Sequence, residues 1–130
     1  MIDARPYDYV LASYVAGLAV ESLLQALALR AHAAHDARHS LEKWLSKCPF
    51  ALNNALKGSD EWSMLVALWD NKLRYFSYSG LLGYFREAKS IRGKKGGVES
   101  KMRGVTEELV DAAQWVHNKE IAEWLSSTKK

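Results

Sequence analysis

Between Tyr9 and Leu29 the chain reads YVLASYVAGLAVESLLQALAL, and Glu21 is the lone charge in that run. A segment this long and this apolar can cross a membrane, lie at the centre of a helical bundle, or form part of a subunit interface. The first outcome fits poorly. A carboxylate at mid-membrane costs roughly 2.5 to 3.5 kcal/mol even on the lenient insertion scale, and Gln25 follows one turn later. Asp3 and Asp8, in place of a basic cluster, flank the start, so the run does not read as a signal peptide. The expectation is a soluble chain with no membrane role and a long, largely buried first helix.

The rest of the sequence points to one all-α domain spanning residues 1–130. Of its 130 residues 48% are hydrophobic and 25% charged, enough for a single core and no more. Eight glycines and two prolines leave few breaks, and the alternating pattern of strands is nearly absent. Pro6 suits a first helical turn, and helical spacing continues from Tyr7 to about Ala34. Val10, Tyr14, Gly17, Glu21, Leu24 and Ala28 form its main stripe. Ser40 can cap a short helix, LEKWLSK, that must stop by Pro49, and FALNNAL adds a turn or two. Gly58 breaks the chain, and Ser59 caps a helix expected from Asp60 to Tyr78, with Trp62, Leu65, Val66, Trp69 and Leu73 facing inward. A further short helix fits LLGYFREAKSI. The last helix starts near Glu99, with Met102, Val105, Leu109, Ala112, Val116 and Leu125 inside. These pieces predict an up-and-down bundle of four to five helices.

Residues 16–45, AGLAVESLLQALALRAHAAHDARHSLEKWL, resemble the HEPN superfamily of small helical-bundle domains. The likeness lies in small residues followed by an acid and two leucines, then a His-led helix start, here His39, Leu41, Trp44 and Leu45. WDNKLRY, residues 69–75, resembles the aromatic-then-LRY ending of a later helix in that superfamily. The resemblance implies an up-and-down bundle, frequent homodimers, and work around RNA as ribonuclease toxins, defence proteins or partners of small nucleotidyltransferases. It also implies a catalytic Arg followed, after four to six residues, by a His in a later helix. No His follows Arg74, Arg86, Arg92 or Arg103 at that distance. Arg30 and His35 fit the spacing, but at the end of the first helix.

Arg30 and His35 are the candidate catalytic pair: His can move a proton at a ribose hydroxyl near neutral pH while Arg holds the phosphate. On a continuous helix five residues rotate the two side chains about 140° apart, so convergence needs a helix end or a second subunit. The alternative is that cations gathered near a helix C-terminus offset its dipole. His32, His35 and His39 include an HxxxH pair, yet no clear third ligand accompanies them, so neither metal nor cofactor is expected. His39 reads as a structural residue at the start of the second helix. Glu21 needs a partner if buried, and Arg74 or a symmetry mate can supply it. Ser13, Ala16 and Gly17 allow another helix to come close, within the chain or across a dimer.

The charge is concentrated. Arg86, Lys89, Arg92, Lys94, Lys95, Lys101 and Arg103 face only Glu87 and Glu99 in residues 86–103, a local excess of seven minus two, or five, against a net charge of +3 for the chain. With Gly93, Gly96 and Gly97 this makes a candidate phosphate-binding stretch, and the preceding Tyr75, Phe76, Tyr78, Tyr84 and Phe85 can stack on bases if exposed. The single Cys48 excludes an intramolecular disulfide and fits a reducing, cytoplasmic setting. The expected function is an RNA- or nucleotide-associated binding module of toxin–antitoxin or defence type. The alternatives are a metal-independent ribonuclease using Arg30 and His35 across a homodimer, and a structural protein partner that binds no nucleic acid.

Overall fold

Two long helices set the frame in a computed structural model, which describes residues 6–31, 40–87 and 96–127. Helix α1 spans Pro6–Arg30 and α6 spans Val98–Ser127; between them lie α2 (Leu41–Ser46), α3 (Phe50–Leu56), α4 (Asp60–Leu68), a 3-10 helix (Asn71–Tyr75) and α5 (Tyr78–Glu87). No strand occurs among the described residues.

The long helices run parallel. Near the start of both, the Tyr9 hydroxyl donates to Glu99 Oε1 at 3.4 Å, then Ser13 meets Thr106 at 3.4 Å, and Arg30 reaches Trp124 near both ends. The chain between them must therefore return along the bundle, and it does so in short pieces instead of full-length rods. Leu24 and Leu27 of α1 and Leu65 of α4 meet Met102, Val105, Leu109 and Val116 of α6 in one core, which Trp44, Leu45, Leu52, Leu56, Leu81 and Phe85 extend. Each such side chain, fully buried, contributes roughly 1.5 to 3 kcal/mol, so the core is the main stabilising term.

The caps lie where the sequence puts them. Ser40 Oγ accepts from the Lys43 amide at 3.3 Å and Ser59 Oγ from the Trp62 amide at 3.1 Å, while Gly58 turns the chain at φ 88°. The helix expected over Asp60–Tyr78 is instead broken after Leu68. Trp69 is extended, at φ −88° and ψ 134°, and Asp70 restarts the chain as a 3-10 helix by accepting from the Lys72 amide at 2.9 Å. The cause is tertiary: the Trp69 indole N–H donates to the Tyr14 carbonyl at 2.9 Å, and its ring fills the space above Gly17. Leu68 takes the inner place expected of Val66, which is only partly buried, and Leu125 is exposed instead of facing inward. Helix α1 ends at Arg30, earlier than the expected Ala34, with Ala31 in a turn.

Candidate functional site

Arg30 sits in the last turn of α1, and its side chain is directed across to α6. Its guanidinium carbon lies 3.3 Å from the centre of the Trp124 ring, and Nη1 donates to the Trp124 carbonyl at 3.0 Å. That carbonyl belongs to the last turn of α6, where backbone oxygens lack helical partners, so Arg30 supplies both a donor and a positive charge at the negative end of the neighbouring helix. His32, His35 and His39 lie outside the described residues, and with them the Arg30–His35 pairing and the expected role of His39.

Glu21 is buried in α1, where Gln25 Nε2 donates to its Oε1 at 3.2 Å. It shares a helix face with Tyr14 and Gly17, and that face receives the 69–75 segment: Tyr14 donates to Asn71 Oδ1 at 3.5 Å and stacks on Trp69 at 6.4 Å. Arg74 lies in the 3-10 helix of this segment, and its side chain is outside the described residues. Ser13 and Gly17 are both used inside the chain, the former against Thr106 and the latter under Trp69.

The basic stretch joins α5 to α6. Arg86 is exposed in the last turn of α5, Lys101 is half-buried and Arg103 exposed in the first turns of α6, and Lys89, Arg92, Lys94 and Lys95 lie outside the described residues. Gly96 takes the left-handed φ of 97°, and the Lys101 amide closes the first turn on the Gly97 carbonyl at 3.0 Å. A hydrogen bond with Tyr9, helped by the Glu99 and Glu107 carboxylates, raises the pKa of Arg103 and keeps it charged. The aromatics expected nearby are mostly spent on packing. Phe85 is buried, Phe76 and Tyr84 meet edge to face at 5.4 Å, and Lys72 lies over the Tyr84 ring at 5.5 Å. Tyr75 is 72% exposed, and the Tyr78 side chain is outside the described residues.

Sequence reasoning missed Glu120. Its side chain is fully buried in α6, neither oxygen has a hydrogen-bond partner among the described residues, and His117 Nδ1 lies 3.4 Å from Oε1. Burial pushes this carboxyl up to about 9. The signal was present, because Leu109, Ala113, Val116 and Glu120 continue one helical stripe. Cys48 is close by, and burial, with Glu120 and then Glu123, pushes its thiol up to about 12. The thiol donates to the Leu24 and Trp44 carbonyls at 3.4 and 3.3 Å, so it behaves as an inert packing group. His117 edges a shallow apolar groove of about 230 Å³ between Val15, Ala16 and Ala19 of α1 and Val110, Ala113 and Gln114 of α6. Among the described residues no three His, Cys, Asp or Glu side chains gather as metal ligands.

No family model, curated protein or solved structure matches the chain.

Proposed function

We propose that the chain is an HEPN-like, non-catalytic module that binds RNA or another phosphate-rich ligand, of the toxin–antitoxin or defence kind, through residues 86–103. The observation that carries this reading is the local excess of five positive charges, greater than the +3 of the whole sequence, placed where α5 gives way to α6. Lys101 and Arg103 bring part of that charge onto a rigid helix, beside backbone amides of a first turn that favours anions. Ribonuclease action by Arg30 and His35 has less support, because the Arg30 guanidinium is already engaged by the Trp124 ring and carbonyl.

Retention of labelled single-stranded RNA over a salt series, with cleavage scored in the same samples, tests the reading. The expected outcome is intact RNA, bound at low salt and released as salt rises, with Lys101→Ala and Arg103→Ala each lowering the log–log salt slope by about 0.7. RNA that is not retained at low salt rejects it. Cleavage that disappears in His35→Ala transfers the function to the first-helix pair.

A further inference from the structure

Helix α4 separates two hollows, and all the charge that lines them has one sign. On the side toward α6 the walls are Asp60, Glu61 and Met64 of α4 with Glu108, Asp111 and Ala112 of α6, around about 280 Å³. On the side toward α2, Glu42, Val66 and Asp70 border about 190 Å³, with the nearly buried Trp69 beside them. Six carboxylates flank α4 in this way, and no Lys or Arg lines either hollow. In a chain with 18 Lys and Arg against 15 Asp and Glu, six acids without one base depart from the mixed charge of an ordinary surface. The ridge between the hollows is uncharged. Helical spacing puts Ser63 and Ala67 one turn apart on the side of α4 away from the buried Trp62, Leu65 and Leu68, and both are exposed, with Met64 and Val66 half-buried on their flanks.

The shape and the charge together select an occupant. A ridge of small side chains lets another helix come close, and an α-helix is about 10 Å across, so one laid along α4 spans both flanks. Its apolar stripe would cover Ser63, Met64, Val66 and Ala67, while long cationic side chains from its two edges reach the carboxylates in the hollows. Nine residues at about 1.5 Å make α4 about 14 Å long, so such a helix needs only about three turns. Other occupants fit less well. Six carboxylates repel nucleic acid and anionic lipid headgroups. A divalent cation needs several oxygens converging at one point, and among the described residues no three acidic side chains gather that way. A second copy would have to offer a basic helix with a spare apolar stripe, and α5 and α6 already spend theirs on the core. None of residues 86–103 lines either hollow, so this face is independent of the polyanion reading.

We propose that the outer face of α4, with the acidic hollow on each side of it, docks a basic amphipathic helix of another protein. Fluorescence anisotropy of a labelled amphipathic peptide of leucine and lysine, about four turns long, reads the outcome on the full chain. Two companion peptides carry glutamate in place of lysine, or glutamine in place of leucine. The parent is expected to bind the leucine–lysine peptide, to ignore its glutamate twin, and to hold the glutamine version at least about tenfold more weakly, because only the first brings both cations and an apolar stripe. Asp111→Lys and Glu42→Lys, one in each hollow, should each weaken binding about tenfold, while Glu87→Lys makes the same change of charge away from both and should leave it within about twofold. All three positions are exposed, so unchanged helical circular dichroism separates lost docking from lost folding. A parent that binds none of the peptides overturns the proposal, as does equal binding of the glutamine version, which would make the attraction one of charge alone. Equal weakening by Glu87→Lys overturns it too, and so does displacement of the peptide by millimolar Ca²⁺ at constant ionic strength, which would give the hollows to a metal ion. Loss of RNA retention would remove the polyanion reading and leave this one standing.

Discussion

At the scale of single residues, the chain hides one acid in plain view. Glu120 shares its stripe with Leu109, Ala113 and Val116, and it is buried with neither oxygen hydrogen-bonded among the described residues. Its carboxyl stays protonated up to about 9, against an ordinary 4.5. Below 4.5 both folded and unfolded chains hold the proton, and the group has no pH-dependent effect. Between 4.5 and about 9 the unfolded chain releases it while the folded chain keeps it, so stability falls with rising pH, by up to about 1 kcal/mol per unit. Above that range the slope disappears. Urea midpoints taken across the interval are expected to drift downward in the parent and to lose this component in Glu120→Gln. A second residue-scale outcome concerns Gly17, where an added Cβ would lie 2.0 Å from Trp69 Cδ1. Gly17→Ala must displace that indole, and a loss of about 3 kcal/mol in denaturant unfolding is expected. The need for a small residue at position 17 was legible; that a tryptophan, and not another helix, takes the space was not, because nothing local in the sequence links the two.

At the scale of elements, local chemistry predicted starts better than stops. Ser40 and Ser59 announce α2 and α4 because a cap is a contact between neighbours in sequence. The end of α4 is different. Its helical pattern continues through Leu73, and the break at Trp69 is imposed by a hydrogen bond to Tyr14, fifty-five positions away. A periodicity argument has no access to that partner. The same holds for the helix-end arginine, which looked like an aid to its own helix and instead serves the other one. Arg30→Ala should lower stability by about 1 kcal/mol, through the lost ring contact and hydrogen bond, and should speed amide exchange in the last turn of α6. RNA retention should be unchanged by it if the basic stretch is the binding site.

For the whole molecule, composition and periodicity made the all-helical class legible, and the concentration of charge in residues 86–103 could be counted directly. The direction of the helices could not. Whether the first and last helices run together or opposed depends on how the intervening chain is divided, and the one longer helix expected there, Asp60–Tyr78, is split into α4 and a 3-10 helix. The apolar run from Tyr9 to Leu29 was evident, but which side of it the core would claim depended on where Trp69 and α6 came to rest.

The parallel course of α1 and α6 gives the molecule two poles. In antiparallel pairs helix macrodipoles cancel, whereas here both positive ends meet near Tyr9 and Glu99, close to Lys101 and Arg103 in the first turns of α6, and both negative ends meet near Arg30 and Trp124. An anionic strand approaching from a distance would be turned toward the first pole before touching any side chain.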